Sequence, residues 1–322
     1  MFQSPILAPT IEPENLPDLR ARLRVESGGG YGPFCRSLAP DFGKVKRDIA
    51  FGYLALGFVL AAVGSVAGLV PGLLAACLGA IGVGYAIAYL QLFIHEAAHY
   101  NLAPGRRAND RMADALICWQ VGTSIAAYRR THAEHHRHRG QAHDTEVSYT
   151  RPLSIRFLIE MVTGIHALRV FSGRAGGASP EAAPARALRP LVVAAAAHLA
   201  LLTGLLALGA WPATLAWLGG VGVVFPLFAT LRQLLEHRPT DGQTGRGAVT
   251  RLFGDDLFSR TFGGAGFNRH LLHHIEPQVS YTRYDALEAF LMRTSIASAL
   301  DARRASYAAV FAELLREGRR HG

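Results

Sequence analysis

The chain has almost no lysine, few cysteines and two long stretches without any cation. Lys44 and Lys46 are its only lysines, so nearly all of its 33 basic residues are arginine. Three cysteines, Cys35, Cys77 and Cys118, are odd in number and widely spaced, which excludes a disulfide framework and a CxxC metal site. Residues 1–22 hold prolines and acids but no apolar h-region, so no secretory signal is expected there. There is no GxGxxG after a strand, no CxxC pair and no haem-binding domain, so the chain has no visible means of collecting electrons. No solenoid-type repeat is present. No Lys or Arg occurs between Arg47 and Arg106, nor between Arg189 and Arg232. A net charge of +9 could mean nucleic acid. Here the bases flank apolar runs instead, the pattern of positive cytosolic loops, and nucleic-acid binding is set aside.

What fills the two gaps is apolar. The chain is 50% hydrophobic, with a mean hydropathy of +0.18. Residues 49–70, 73–94, 191–209 and 212–235 are each about long enough to cross a hydrocarbon core of ~30 Å. The connections at 71–72 and 210–212 are too short for anything but antiparallel neighbours. The predicted fold is therefore all-α and integral to a membrane, with four transmembrane helices as two hairpins. Trp211 and Trp217 are expected near the outer interface. The predicted division is a cytosolic N-terminal tail at 1–48, a membrane domain at 49–287 and a C-terminal cytosolic helical segment at 288–322. Residues 112–128, interrupted by Gln120, Gly122, Thr123 and Ser124, read as a buried or re-entrant helix. Residues 153–171 carry apolar positions at helical spacing, which suits an interfacial amphipathic helix. Residues 172–186 and 240–247 read as loops, and 284–293 and 298–317 as amphipathic helices over the cytosolic side.

Histidine is what the chain has in a pattern. Eight of its 14 histidines fall in three clusters: His95 and His99; His132, His135 and His136; His270, His273 and His274. A ninth, His237, follows the last apolar run. At about 100° per residue, the members of each cluster share one face of a helix. Two short hairpins place all nine on the same side of the membrane, which is predicted to be the cytosolic side. Neutral imidazole is a common ligand for transition metals, and facing helices are how bundles build such sites. Nine imidazoles exceed the needs of one ion and suit two, each with four or five. Imidazole accepts Fe, Zn, Cu or Ni. A structural zinc protein and a metal transporter are alternatives, but a transporter should hold ligands near the midplane. Here the spans have only His198, read as a packed histidine. Two redox metals at a membrane surface suggest O2 activation against an unactivated C–H bond.

HEAAH at 95–99, HAEHH at 132–136 and HLLHH at 270–274 resemble the three histidine boxes of the membrane fatty acid desaturase/hydroxylase superfamily. The text after the boxes, HHRHRGQAHDTE and HHIEPQVSYTRYDAL, and the EH at 236–237 resemble it too. The resemblance implies a non-haem diiron centre held by His95, His99, His132, His135, His136, His237, His270, His273 and His274. It implies O2 as co-substrate and a hydrophobic acyl substrate. Electrons would come from an external ferredoxin or b-type cytochrome with its reductase. Gln233 stands where one branch of the family has an amide side chain that contacts the metal through water. Asp144 and Glu146, in the motif after the second box, are expected to orient ligand imidazoles. Glu96 and Glu134 are expected either to do the same or to lie at the surface. His138 and His143 are expected outside the ligand set, and His166 and His321 to be structural or solvated. Arg232 and Glu236 are expected to pair. Arg129, Arg130, Arg137 and Arg139 are expected to attract an acidic electron carrier. The expected reaction is acyl desaturation. Hydroxylation of a fatty acyl, sphingolipid, carotenoid or alkyl natural-product substrate is the alternative.

Overall fold

In a hydrocarbon solvent every main-chain N–H and C=O must find its partner within the protein, and the uninterrupted apolar runs do so as helices. The computed structural model describes residues 16–66, 68–138, 144–145, 151–166, 168–170, 188–237 and 250–320. The described residues hold helices and no strand, with an isolated bridge between Leu252 and Arg304. Four helices are long and apolar enough to cross a membrane: Phe42–Val66, Gly72–Ala98, Leu188–Ala207 and Trp211–His237.

The first of these starts ahead of its apolar run. Val45, Ile49, Gly52, Leu56 and Val63 share one buried face, and Lys44 reaches Asp48 one turn on at 2.5 Å. The charged turn therefore continues the helix instead of preceding it. The second and fourth helices run past their apolar stretches, so His95 and His237 sit on the ends of the spans themselves.

The second helix is central, and small residues make it so. A Cβ on Gly52 would lie 2.6 Å from Leu90, one on Gly82 2.9 Å from Val59 and one on Gly79 2.4 Å from Val63. These partners run in opposite order along the chain, so the first two helices are antiparallel. Gly72 meets Trp211, Gly79 meets Ala216 and Gly84 meets Val224, in the same order, so the second and fourth are parallel. Close approach of this kind replaces the hydrophobic effect between helices that lipid already solvates. A π-helical turn at Gly220–Val224 widens the fourth helix where it crosses Gly84. Leu54, Phe58, Leu78, Ile81, Val192 and Leu199 face outward, a surface suited to lipid.

Residues 112–128 do not span. The helix Arg106–Leu116 ends, a 3-10 turn follows at Cys118–Val121, and Gly122 with φ +65° turns the chain into the helix Ile125–His138. The long helices supply the polar partners that this break requires. Gln91 Nε2 donates to Ile117 O at 2.9 Å and Gln120 Oε1 at 2.8 Å. Gln120 Nε2 donates to Tyr53 Oη at 3.1 Å. Trp217 Nε1 donates to His198 Nδ1 at 3.1 Å, so the His198 proton sits on Nε2, 3.2 Å from the Gln120 carbonyl. His198 is thus a packed histidine with both nitrogens used. Trp217 is buried in this network, not at an interface, whereas Trp211 is half exposed.

Residues 16–41, ahead of the first span, are packed. Helices Leu16–Glu26 and Tyr31–Ser37 bury Leu19, Leu23 and Tyr31 against Leu271, Leu272 and Ile275. Their apolar residues are too few to read as a core by periodicity alone. The helix expected at 298–317 is two, Ala297–Asp301 and Tyr307–Arg320. Between them Arg303 O and Ala305 N pair with the Leu252 main chain. Ile155–Val162 is amphipathic as expected, with Ile155 and Ile159 outward and Phe157 and Met161 inward. Its buried Glu160 is held by Arg151 and Arg169, each at 2.5 Å, which keeps that carboxyl well below the usual carboxylate range. The loops expected at 172–186 and 240–247 lie outside the described residues.

The glycine contacts are testable. A Cβ at Gly84 would lie 2.5 Å from Val224 and 2.9 Å from the Phe225 nitrogen, whereas one at Gly57 meets nothing within 4 Å. Gly84→Ala should cost about 1–3 kcal/mol through overpacking, while Gly57→Ala should be neutral or stabilising by about 0.5–1 kcal/mol. Thermal unfolding of the detergent-solubilised protein measures both. Equal effects at the two positions would refute the packing described.

Candidate metal centre

Four helices converge at one end of the bundle, each carrying histidine near its terminus. Phe93–Ala98 brings His95 and, just past it, His99. Ile125–His138 brings His132, His135 and His136. The fourth span ends on His237, and the short helix His270–Ile275 brings the last three. The spacing i, i+3, i+4 has a consequence in three dimensions. Residues i and i+4 lie about 40° apart around a helix, while i+3 lies about 60° off on the other side of i. The pair and the middle histidine can therefore serve different neighbours.

That is how the structure arranges them. His95, His99, His132, His136 and His273 bring one ring nitrogen each within 4.8 Å of one another. His135, His237 and His274 form a second group by the same measure, and His237 also groups with His270 and Glu236. The middle histidine of the second and of the third box crosses over. His135 leaves its neighbours for the second group, and His273 leaves its own for the first. Ile125–His138 and His270–Ile275 thus each straddle both groups.

The nitrogens are closer than neutral imidazoles can satisfy alone. Nε2 of His132 lies 3.0 Å from Nε2 of both His99 and His136, and His136 Nε2 lies 2.9 Å from that of His273. Each Nε2 carries either one hydrogen or one lone pair. Three contacts along four atoms need three hydrogens, and alternating tautomers supply two. Both nitrogens of buried His95 lack a hydrogen bond, although its ring lies 4.1 Å from that of His273 and 4.5 Å from that of His132. In the second group His270 Nε2 lies 3.1 Å from Nε2 of His237 and of His274. Neighbouring donors on an ion with bonds of about 2.1 Å sit roughly 3.0–3.4 Å apart. The residues fit two transition-metal ions.

Other side chains fix the imidazoles. His135 Nδ1 donates to Asp144 Oδ1 at 2.8 Å, with both side chains buried, which leaves Nε2 as the atom facing the second group. Buried Glu96 accepts from Ser280 Oγ at 3.1 Å and Tyr281 N at 3.4 Å, and lies 3.9 Å from His95 Nδ1. It ties the first box to the residues after the third. Phe267 stacks on His270 at 4.7 Å and Tyr128 on His132 at 5.6 Å.

The last carbonyls of the histidine helices have no partner within the helix and need outside donors. Arginines provide them. Arg129 donates to Ala98 O at 3.0 Å and Ala97 O at 3.2 Å, and pairs with Asp110 at 2.6 Å. Arg20 donates to Ile275 O at 2.7 Å and His274 O at 3.3 Å. Arg251 donates to Leu235 O at 3.0 Å. A cation is favourable at a helix C-terminus for the same reason. None of these roles has a signal in the sequence, since each partner is remote along the chain. Arg129, expected to attract an electron carrier, is instead engaged in the first box.

The remaining expected residues divide. Glu134 is at the surface, paired with Arg137 and 3.5 Å from His138. Gln233 is half-buried on the helix that ends in His237, one turn before it. Glu236 lies 3.8 Å from Arg232, as expected, and also beside His237 and His270, which the sequence did not suggest. His166 is buried against Phe157. Glu146, His143, Arg139 and His321 lie outside the described residues.

Four membrane-length helices, the second and fourth of them ending among two groups of largely buried imidazoles, define a helical membrane protein with a site that could hold metal. The family model described as fatty acid desaturase matches residues 69–302, and the chain belongs to that family. Comparison with curated proteins finds no match.

Burial holds the His99 imidazole down to about 3, with neighbouring His132 adding to it. Burial acts in the same direction on His136 and His273. Such histidines are neutral, as ligation requires. The unfolded chain, with ordinary values near 6.5, binds protons that the folded chain refuses between that pH and about 3. The stability is therefore complete above pH ~6.5 and lost as pH falls. Thermal unfolding of metal-free protein should show stability dropping by up to about 1.4 kcal/mol per pH unit for each such histidine below that point. A flat profile between pH 7 and pH 5 would refute the neutral cluster.

Proposed function

We propose that the chain is an O2-dependent membrane diiron desaturase that introduces a double bond into a fatty acyl chain. The observation that carries this reading is the convergence of nine imidazoles into two groups, seven of them with nitrogens about 3 Å apart, at the ends of helices that face outward. Family membership supports an acyl substrate and a metal-dependent oxidation. In this reading His95, His99, His132, His136 and His273 hold one iron, and His135, His237, His270 and His274 the other. Two bound irons with O2 supply the C–H oxidation that side chains cannot perform. In the balanced reaction the acyl chain loses two hydrogens, a carrier gives two electrons, two protons enter, and O2 leaves as two waters.

The chain's own residues do the positioning. Asp144 keeps the proton on His135 Nδ1. Burial keeps the imidazoles neutral, and Phe267 and Tyr128 exclude water from their faces. Gln233 and Glu146 are proposed to orient water or ligand groups beside the irons. The site lies on the cytosolic side of a multi-pass membrane protein, as the arginine asymmetry indicates. Electrons come from a separate ferredoxin or b-type cytochrome with its reductase, drawn by exposed bases such as Arg130 and Arg137.

Purified protein from iron-supplemented growth should carry about two irons per chain, since nine histidines provide four or five donors for each. The His135→Ala, His273→Ala double variant should lose iron from both positions while its helical circular dichroism persists. Full iron occupancy in that variant would sink the ligand assignment.

The reaction is read by lipidomics of a host expressing the chain with its reductase system. Acyl chains lighter by two hydrogens should accumulate. Acyl chains heavier by one oxygen would identify a hydroxylase instead.

A further inference from the structure

The two groups of imidazoles differ in number and in kind. The first brings together five histidines and no carboxylate. The second has His135, His237, His270 and His274, and there a carboxylate joins them. Glu236 groups with His237 and His270, one donor atom of each lying within 4.8 Å of the others. Among the described residues no other acidic side chain enters such a group. Glu96 and Asp144 each face the Nδ1 of one ring instead. Neighbouring residues on a helix do not face each other, so Glu236 and His237 have no common target within their own helix. His270, arriving from another helix with its Nε2 3.1 Å from that of His237, brings both into one group. Glu236 is 1% exposed. A charge so deep is kept only where it is paired or holds a metal.

We propose that Glu236 is a ligand of the ion in the second group, beside His135, His237, His270 and His274. The count of donors supports this, since each of two ions then has five. The charge supports it as well. Neutral imidazoles alone leave the charge of a buried cation uncompensated, and an anionic oxygen in contact offsets part of it. The surroundings of the carboxylate suit the role. Arg232 approaches it at 3.8 Å, and the hydroxyl of buried Tyr307 lies beside it. A carboxylate has two oxygens with about four lone-pair sites, so meeting Arg232 and Tyr307 and reaching a cation are compatible. Carboxylates that ligate metals are commonly held by polar neighbours of this kind. The inference rests on the diiron reading of the histidine groups, and its test separates the failure of one from the failure of the other.

Metal-free protein in detergent is titrated with cobalt(II), whose absorption reports its ligands, and bound metal is counted after dialysis. The unaltered protein should take two ions. Glu236→Gln should hold one of them as tightly as before and the other about tenfold or more weakly, since even side chains that only orient ligands cost that much when lost. Glu134→Gln, at the surface of the helix that carries the second box, should change nothing. If Glu236 served only to balance Arg232, adding Arg232→Gln to Glu236→Gln would restore the lost affinity; as a ligand, its loss is not made good and the double variant stays weak. A second measurement needs no variant to fold. Infrared difference spectra of the unaltered protein, grown with isotope-labelled glutamate, should show a glutamate carboxylate band shifting as metal enters. Undiminished binding of both ions by Glu236→Gln, restored affinity in the double variant, or unshifted glutamate bands would each overturn the proposal and leave the diiron reading standing. An unaltered protein that takes fewer than two ions would overturn both.

Discussion

Nine imidazoles packed into two groups, seven of them with nitrogens about 3 Å apart, are the constraint on which the rest of the structure depends. Neutral imidazoles at that spacing cannot satisfy one another, and charged ones would repel. The arrangement is costly by itself, and bound cations would relieve that cost. Everything beside it acts to hold the rings in place. Asp144 sets a tautomer, Glu96 links the first box to the chain after the third, and Arg20, Arg129 and Arg251 take up the carbonyls at the helix ends.

The bundle explains why the clusters can form at all. The second helix is nearly all small residues on its buried faces, which lets the first and fourth come close. With the second and fourth helices parallel, His95 and His237 end at the same level. The break after Leu116 then returns the chain so that Ile125–His138 crosses beneath them. That break is stable because Tyr53, Gln91, His198 and Trp217 give its polar groups partners inside the apolar bundle.

Helix class and span count were legible because long apolar runs have one solution in lipid. Span ends were less so. Lys44 and Asp48 look like a boundary in sequence, but their pairing lets the helix continue through them. The N-terminal helices were read as a tail because Leu19, Leu23 and Tyr31 are a thin signal. Their burial depends on a partner surface, Leu271 to Ile275, some 250 residues away. Trp217 was placed at an interface by its residue type, whereas its indole N–H found His198 in the interior.

The sequence by itself determined which residues gather at the site. Nine histidines at helical spacing, at the ends of apolar runs, admit few other readings, since the period of a helix dictates which of them share a face. Only the tertiary structure decided how they are divided. The crossing of His135 and His273 into opposite groups depends on helix rotation and crossing angle, which packing sets. The same holds for the arginines. Arg20, Arg129 and Arg251 are ordinary surface-type residues in the chain, and they become caps only when folding brings foreign helix ends within their reach.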